Sequence, residues 1–156
     1  DVTLLEHIPA NVTASNVAPQ YGTEETRAYL KLCEVEDILK REGLLDNTSD
    51  LRKTLLVKAI KTERWRKWMV GEQRNLQVDD ILKDEKLSLD ILDIAGHYAF
   101  NDAEVKKELQ TLYGNLTKHH IDGQRFVVDH IKRPLQQYAE CYNLKGITSR
   151  VRSIIE

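Results

Sequence analysis

The histidines and the tryptophans are the side chains in this sequence best suited to chemistry. His119 and His120 are adjacent, whereas His7, His97 and His130 are scattered along the chain. Ligands on one helix face require the i, i+4 spacing of His-Glu-x-x-His, and none of these histidines has it. His7 alone is kept as a weak metal candidate, because it ends an apolar run that would point at the catalytic face of a barrel.

Two tryptophans lie within the basic run Arg64-Trp65-Arg66-Lys67-Trp68. Aromatic and basic residues together are typical of single-stranded nucleic-acid binding. Positions three apart share a helix face, however, and paired tryptophans there are more often core or interface anchors. The chain has 23 basic and 25 acidic residues and a formal net charge of -2, so no general basic excess supports nucleic acid. We therefore predict no nucleic-acid partner.

Several classes of function have no positive signal in the sequence. Gly-x-Ser-x-Gly, Walker-type and dinucleotide-binding motifs are all missing from the sequence. Cys33 and Cys141 are far apart and belong to no Cys-x-x-Cys motif, which indicates reduced thiols in a cytosolic compartment. No apolar run approaches the roughly 20 residues of a membrane span. We predict a cytoplasmic protein that has no membrane partner.

The segment from Asn16 to Leu39 is the best candidate for a ligand site. Pro19 and Gly22 favour a turn, and Thr23 is suited to cap a helix whose first turn would carry acidic residues. A strand leading into such a turn would direct free N–H groups at an anion. We predict a phosphate site that includes Asn16, Gln20, Gly22 and Thr23. The alternative is an ordinary loop before a well-capped helix.

The elements that would position these residues are mainly helical. Val2 to Ile8 is the best strand candidate, and a second extended piece is predicted from Asn16 to Pro19. Apolar residues at helical spacing then predict a series of helices. They are expected over Thr23 to Gly43, from Asn47 into the tryptophan run, around Val78 to Leu82, from Ser88 to Ile94, from Asn101 to about Gly114, around Pro134, and from Thr148 to Ile155.

Several segments resemble, in the same order, the Z-type subunit of class II tagatose-bisphosphate aldolase. The similarity begins with Val17 and Pro19 and the stripe formed by Ala28, Leu32, Val35-Glu36 and Leu39. It continues through the tryptophan run and the segments His97-Tyr98-Ala99-Phe100-Asn101-Asp102, Gly114-Asn115-Leu116 and Pro134-Leu135-Gln136-Gln137-Tyr138. The match covers the chain from about Asn16 onward and includes no catalytic signature. Before Val17 the match is poor: Glu6-His7 resembles the end of an earlier strand, but too few residues separate it from Asn16 for a normal intervening helix.

The resemblance implies the C-terminal part of an α/β (TIM-type) barrel, with one or two short strands followed by a helical extension. Residues 1–43 would form the last strand or strands and helix of the barrel, and residues 44–156 the extension. Z-type subunits support a separate catalytic subunit, and relatives are credited with 4-epimerisation of tagatose 6-phosphate. A divalent metal such as zinc would be held by residues outside this chain, which would be inactive alone.

The partners implied by the resemblance are a sugar phosphate and either the catalytic aldolase subunit or a second copy of the chain. The alternative function is a stand-alone helical protein-interaction domain without catalytic activity. Exposed apolar residues near the N-terminus, such as Leu4, Leu5 and Ile8, would favour the barrel fragment. Burial of the same residues against helices would favour the interaction domain.

Overall fold

A computed structural model describes Asn11 and residues 16–155 of the chain, and its regular structure is helical. The α-helices of the described residues are α1 (Ala18–Arg41), α2 (Leu51–Lys61), α3 (Val78–Lys83), α4 (Glu85–Ala95), α5 (Ala103–Lys118), α6 (Gly123–Cys141) and α7 (Ile147–Ile155). Short 3-10 helices cover Arg64–Trp68, Gly71–Asn75 and Gly96–Ala99.

The prediction of a barrel segment is wrong. Asn11 and residues 16–155 contain no β-strand, and the fold of this part is a helical bundle. The extended piece predicted from Asn16 to Pro19 is replaced by the start of α1, where Pro19 lies in the first turn. A proline fits there because the N–H that it lacks would have no intrahelical partner. The strand predicted over Val2 to Ile8 lies outside the described residues.

The hydrophobic core lies where α1, α2, α4 and α5 meet. Leu32 of α1, Leu55 of α2, Ile91 of α4 and Leu112 of α5 are all almost completely buried. Burying one such side chain contributes about 1.5–3 kcal/mol, so packing rather than intrinsic propensity stabilises these helices. Helix α1 therefore shares one core with the helices that follow it. The division into 1–43 and 44–156 stays a prediction.

Helix α6 runs antiparallel along α1. Tyr138 near the end of α6 donates a hydrogen bond to Gln20 at the start of α1, with an O–O distance of 2.6 Å. His130, two turns earlier on α6, contacts Lys31, farther along α1. Pro134 lies inside α6, and the helix continues past it to Cys141.

Helices α2 and α5 have boundaries that differ from the sequence prediction. Helix α2 ends at Lys61 instead of continuing into the tryptophan run, because Glu63 adopts a left-handed conformation with φ of 58°. The cap of α5 is Asp102, whose carboxylate accepts the Glu104 N–H at 2.9 Å. Helix α5 continues beyond Gly114 to Lys118, since Leu116 is fully buried in the core and stabilises the last turn.

Candidate functional site

The residues predicted to bind phosphate are divided among three packing contacts. The prediction that Thr23 caps a helix is wrong, because α1 begins five residues earlier, at Ala18. Thr23 Oγ1 donates to the Asp93 carbonyl of α4 at 2.9 Å, and Gln20 accepts from Tyr138 of α6. Inside an α-helix each N–H donates to the carbonyl four residues back, so the N–H groups of Gly22 and Thr23 are not free for an anion. Asn16 is exposed and precedes the helix.

Gly22 lies where α1 approaches the 3-10 helix Gly96–Ala99 most closely. A Cβ atom on Gly22 would be 2.6 Å from His97 Cγ, and a Cβ atom on Gly96 would be 2.8 Å from Thr26 Cγ2. Each glycine thus accommodates a side chain of the other segment. The structure assigns a packing role to Gly22, while its role in phosphate binding stays a prediction.

The weak metal candidate His7 lies outside the described residues. Within Asn11 and residues 16–155, no group of three or more His, Cys, Asp or Glu side chains is arranged to hold a metal ion.

A buried carboxylate, Glu36, connects α1 to α5 and to the loop before α2. Glu36 is only 1% exposed. Its Oε1 accepts the Ser49 N–H at 2.9 Å and Asn115 Nδ2 at 2.5 Å, and its Oε2 accepts the Ser49 hydroxyl at 2.6 Å. Asn115 Nδ2 also donates to the Asn47 carbonyl at 3.1 Å. These donors are all neutral, so the arrangement satisfies a buried anion by hydrogen bonding and holds the loop in place.

The cavity beside Glu36 has a volume of about 360 Å³ and includes Cys33 in its lining. Burial, followed by the negative charge of Glu36, raises the pKa of the Cys33 thiol to about 12. A thiol with this pKa is almost entirely protonated at neutral pH and is a poor nucleophile. Cys33 therefore acts as a small buried apolar residue, as its spacing from Cys141 indicated.

Ionic groups of α1, α4 and α6 meet around Glu24. Arg27 binds Glu24 at 2.9 Å and Asp93 at 2.7 Å. His130 Nδ1 lies 3.3 Å from Glu24 Oε2, without hydrogen-bond geometry, and Lys31 Nζ lies 3.0 Å from His130 Nε2. Burial and the positive charge of Lys31 lower the pKa of His130. The neutral imidazole joins α6 to α1, so this cluster is accounted for by helix packing.

The run Arg64–Trp68 separates its two tryptophans instead of placing them together. Trp65 is fully buried, and its Nε1 donates to the Ile60 carbonyl at 3.0 Å. Trp68 is 57% exposed, and Val70, two residues later, is 79% exposed. One tryptophan is a core anchor and the other is available at the surface.

Two cationic side chains near the exposed tryptophan in sequence each lie over an aromatic ring. Lys67 Nζ lies 5.0 Å from the centre of the Trp68 ring, and Arg64 Cζ lies 4.6 Å from the centre of the Tyr98 ring. Arg64 and Lys67 are both exposed and lie three residues apart in the 3-10 helix Arg64–Trp68. We call Arg64, Lys67, Trp68, Val70 and Tyr98 the tryptophan surface.

The charge of the tryptophan surface is not compensated within the described part of the chain. Neither Arg64 nor Lys67 forms an ion pair with any residue of that part. Burial, followed by the charges of Arg64 and then Lys67, lowers the pKa of the neighbouring His97.

The backbone around Val70 is held by hydrogen bonds from two arginines, Arg66 and Arg74. Arg66 pairs with Glu63 and donates to the carbonyls of Arg74 and Leu76. Arg74 Nε donates to the Met69 carbonyl at 2.6 Å. These bonds connect the two 3-10 helices across the turn that carries Val70. The exposed side chains thus lie on a segment whose backbone is held in place by side-chain hydrogen bonds.

Helix α7 presents a second apolar face. Ile147, Val151, Ile154 and Ile155 recur at helical spacing, and each is exposed. No residue of α7 is buried. A helix of this length is marginal in water without packing partners. The face lacks aromatic residues, whereas the tryptophan surface combines apolar, aromatic and uncompensated cationic groups.

A scan of protein-family models and searches of curated proteins and solved structures found no match. The resemblance to the Z-type aldolase subunit therefore stays a prediction. No helix of the described residues is both long enough and apolar enough to cross a membrane.

The sequence identified the tryptophan run but not the surface that it forms. Tyr98 was missed because it is thirty positions away from Trp68, and only the packed fold brings its ring to Arg64. Val70 was missed because nothing in the local sequence marks it as exposed. The alternation of tryptophan with basic residues was the one available signal.

Proposed function

We propose that this chain is a helical protein-association domain that binds another protein through the tryptophan surface. The observation that supports this proposal is the 57% exposure of Trp68, with the exposed Val70 two residues later and Lys67 Nζ 5.0 Å from the centre of the Trp68 ring. Tryptophan and arginine are enriched among the residues that dominate binding energy at interfaces. A tryptophan that folding could have buried, as it buries Trp65, is a suitable anchor for a partner's pocket.

The bonds beneath the surface also favour association. Side chains that are ordered before binding lose less conformational entropy when the complex forms. Lys67 over Trp68, and Arg64 over Tyr98, are already placed by contacts within the chain. Binding would then require little rearrangement of this segment.

The resemblance names the first partner to test. The segment Arg64–Trp68, which resembles the tryptophan segment of the Z-type subunit, forms part of the tryptophan surface. In that family the Z-type subunit supports a separate catalytic subunit. We therefore propose that the chain associates with the catalytic subunit of a class II tagatose-bisphosphate aldolase and contributes to ketohexose phosphate metabolism without catalysing a reaction by itself. This part of the proposal rests on the resemblance, and the role of the surface in association rests on its exposed residues.

Calorimetric titration of the chain into the purified catalytic subunit tests the proposal. We expect a saturable complex that Trp68→Ala weakens at least about tenfold, the loss typical of an interface anchor. Ile38→Ala is the matched control, because Ile38 is 47% exposed. Along α1, Ile38 lies sixteen residues, or about 24 Å, from Gly22, which packs against His97 beside Tyr98 of the tryptophan surface.

A complex that is equally strong in Trp68→Ala and in the unaltered chain would contradict the proposal. The same conclusion follows if titration yields no complex. Far-ultraviolet circular dichroism of each variant should match that of the unaltered chain, because both replaced side chains are exposed.

A further inference from the structure

We infer that helix α6 detaches from α1 under mildly acidic conditions, while the other described helices stay packed, because a protonated His130 does not fit between the two helices. This inference does not involve the tryptophan surface and goes beyond the proposed function. Its basis is the geometry around the His130 imidazole, which accommodates the neutral ring and not the charged one.

The contact between His130 and Lys31 requires a neutral imidazole. Lys31 Nζ lies 3.0 Å from His130 Nε2. An ammonium group has no lone pair, so Lys31 is the donor and Nε2 the acceptor, and the proton of the neutral ring is on Nδ1. Nδ1 is buried without a hydrogen-bond partner, although Glu24 Oε2 lies 3.3 Å away. A second proton would have to be placed on Nε2, directly against the ammonium group of Lys31.

Positive groups outnumber negative ones around the ring. The charged groups of α1 that act on His130 are Glu24, Arg27 and Lys31, and α6 itself adds Arg133. Arg27 also binds Glu24 at 2.9 Å, which offsets part of the attraction of this carboxylate for an imidazolium. Burial, followed by the charge of Lys31, lowers the pKa of His130 while α6 is in place.

Helix α5 also packs against α6, but at the opposite end from the His130 contact. A Cβ atom on Gly123, at the start of α6, would be 2.9 Å from Tyr113 Cδ1. Gly123 precedes His130 by seven residues, or about 10 Å along the helix. Burial raises the pKa of Tyr113, so its phenol is uncharged near neutral pH and does not compensate a charge on His130.

Helix α6 can leave α1 without removing much of the hydrophobic core. Val127 is the only residue that α6 supplies to the buried core of the described chain, and the partly buried Ile131 packs against that core. The bonds of α6 to α1 include those of His130 and Tyr138. Segments with few buried apolar contacts open at a lower free energy than the whole chain. A change in the charge of one contact can therefore shift this local equilibrium.

The direction and size of the effect follow from the two environments of His130. In detached α6 the imidazole is in water, where its pKa is about 6.5. The detached state therefore binds a proton more readily than the packed state, so detachment becomes more favourable as the pH falls through about 6.5. Between pH 7.5 and 5.5 the neutral fraction of a free imidazole falls about tenfold, and the equilibrium constant for detachment rises by up to the same factor.

Hydrogen exchange of the backbone amides of the complete chain tests the inference. It is measured by nuclear magnetic resonance at pH 7.5 and 5.5 and corrected for the intrinsic exchange rate of each amide. We expect the interior amides of α6 to be less protected than those of α2 at both pH values, because α6 opens locally. Protection of the α6 amides should fall severalfold at pH 5.5, with a limit of about tenfold.

His130→Gln removes the titration and keeps the contact, because the glutamine carbonyl can accept from Lys31. Protection of α6 in this variant should be the same at both pH values, whereas the amides of α2 should keep a pH dependence, because global unfolding also exposes His97. Lys31→Met should raise the pKa of His130, measured from the titration of its Cε1–H signal. Lys40→Met, which replaces an exposed lysine farther along α1, should leave this pKa unchanged.

Equal protection of α6 and α2 at both pH values would overturn the inference, because α6 would then open only when the whole chain unfolds. The inference is also rejected if protection of α6 decreases as much in His130→Gln as in the unaltered chain. An unchanged pKa of His130 in Lys31→Met would contradict the assigned contact between the ammonium group and Nε2.

Discussion

Replacing Gly22 by alanine should destabilise the chain, although alanine is the better helix former. The new Cβ would lie 2.6 Å from His97 Cγ and 2.7 Å from His97 Cβ, compared with an ordinary carbon contact of about 3.5–4.0 Å. His97 Cβ is fixed to the backbone, so no rotation of the side chain moves it away from α1, and rotation about the Cα–Cβ bond can relieve only the contact with Cγ. Overpacking of this kind costs about 1–3 kcal/mol. Relief of glycine's backbone entropy offsets about 0.5–1 kcal/mol of the cost.

Gly114→Ala is the matched control for this change. Gly114 also lies inside a helix, α5, but nothing is within 4 Å of the position where its Cβ would be. This variant should gain only the better helix propensity of alanine, and it should be more stable than the unaltered chain by about 0.5–1 kcal/mol. Both variants gain the better helix propensity of alanine. The difference between their free energies of unfolding therefore measures the cost of the contact with His97, about 1–3 kcal/mol.

Urea unfolding followed by circular dichroism measures both free energies of unfolding. In thermal unfolding each kcal/mol corresponds to about 2–4 °C in Tm for a chain of this size. Equal stability of Gly22→Ala and Gly114→Ala would refute the close packing of α1 against the 3-10 helix Gly96–Ala99. The same comparison tests the packing role assigned to a residue that the sequence placed in a phosphate site.

Two further predictions concern buried polar groups. Glu36→Ala should lower the free energy of unfolding by about 2–4 kcal/mol in urea titrations, because the donors of Ser49 and Asn115 lose their acceptor. Glu36→Gln should cost much less, because its carbonyl can accept from both residues and its amide can donate to the Ser49 hydroxyl. Equal losses of stability in the two variants would contradict this account. The pKa of His97 is lowered in the folded chain, chiefly by burial, so the unfolded chain binds more protons as pH falls below about 6.5 and stability decreases. Urea midpoints measured from pH 7.5 down to 5.5 should therefore decrease less in His97→Phe than in the unaltered chain. His130, whose pKa is also lowered, contributes to the decrease in both proteins. An identical pH dependence of the two proteins would contradict the contribution of His97.

By itself the sequence determined the helical character and the principal buried positions. Apolar residues at helical spacing predicted α1, α5 and α6, and the structure buries Ala28 and Leu32 on the predicted stripe. The short helices α3 and α4 were also expected near their observed places. These features are local, since a period of 3.6 residues specifies which face is apolar without reference to distant residues.

Tertiary structure decided where α1 begins, what Gly22 does and which tryptophan is exposed. Pro19 with Gly22 three residues later is compatible both with a turn and with the first turn of a helix, and the turn was predicted from these residues. The partners that settle the matter, His97 for Gly22 and Asp93 for Thr23, lie about seventy residues away in sequence. Trp65 and Trp68 are equivalent in local pattern, and they differ because only Trp65 reaches the core from a 3-10 helix that follows the left-handed Glu63. Contacts between distant segments select among local conformations of similar free energy, so a short window of sequence does not contain the information that distinguishes them.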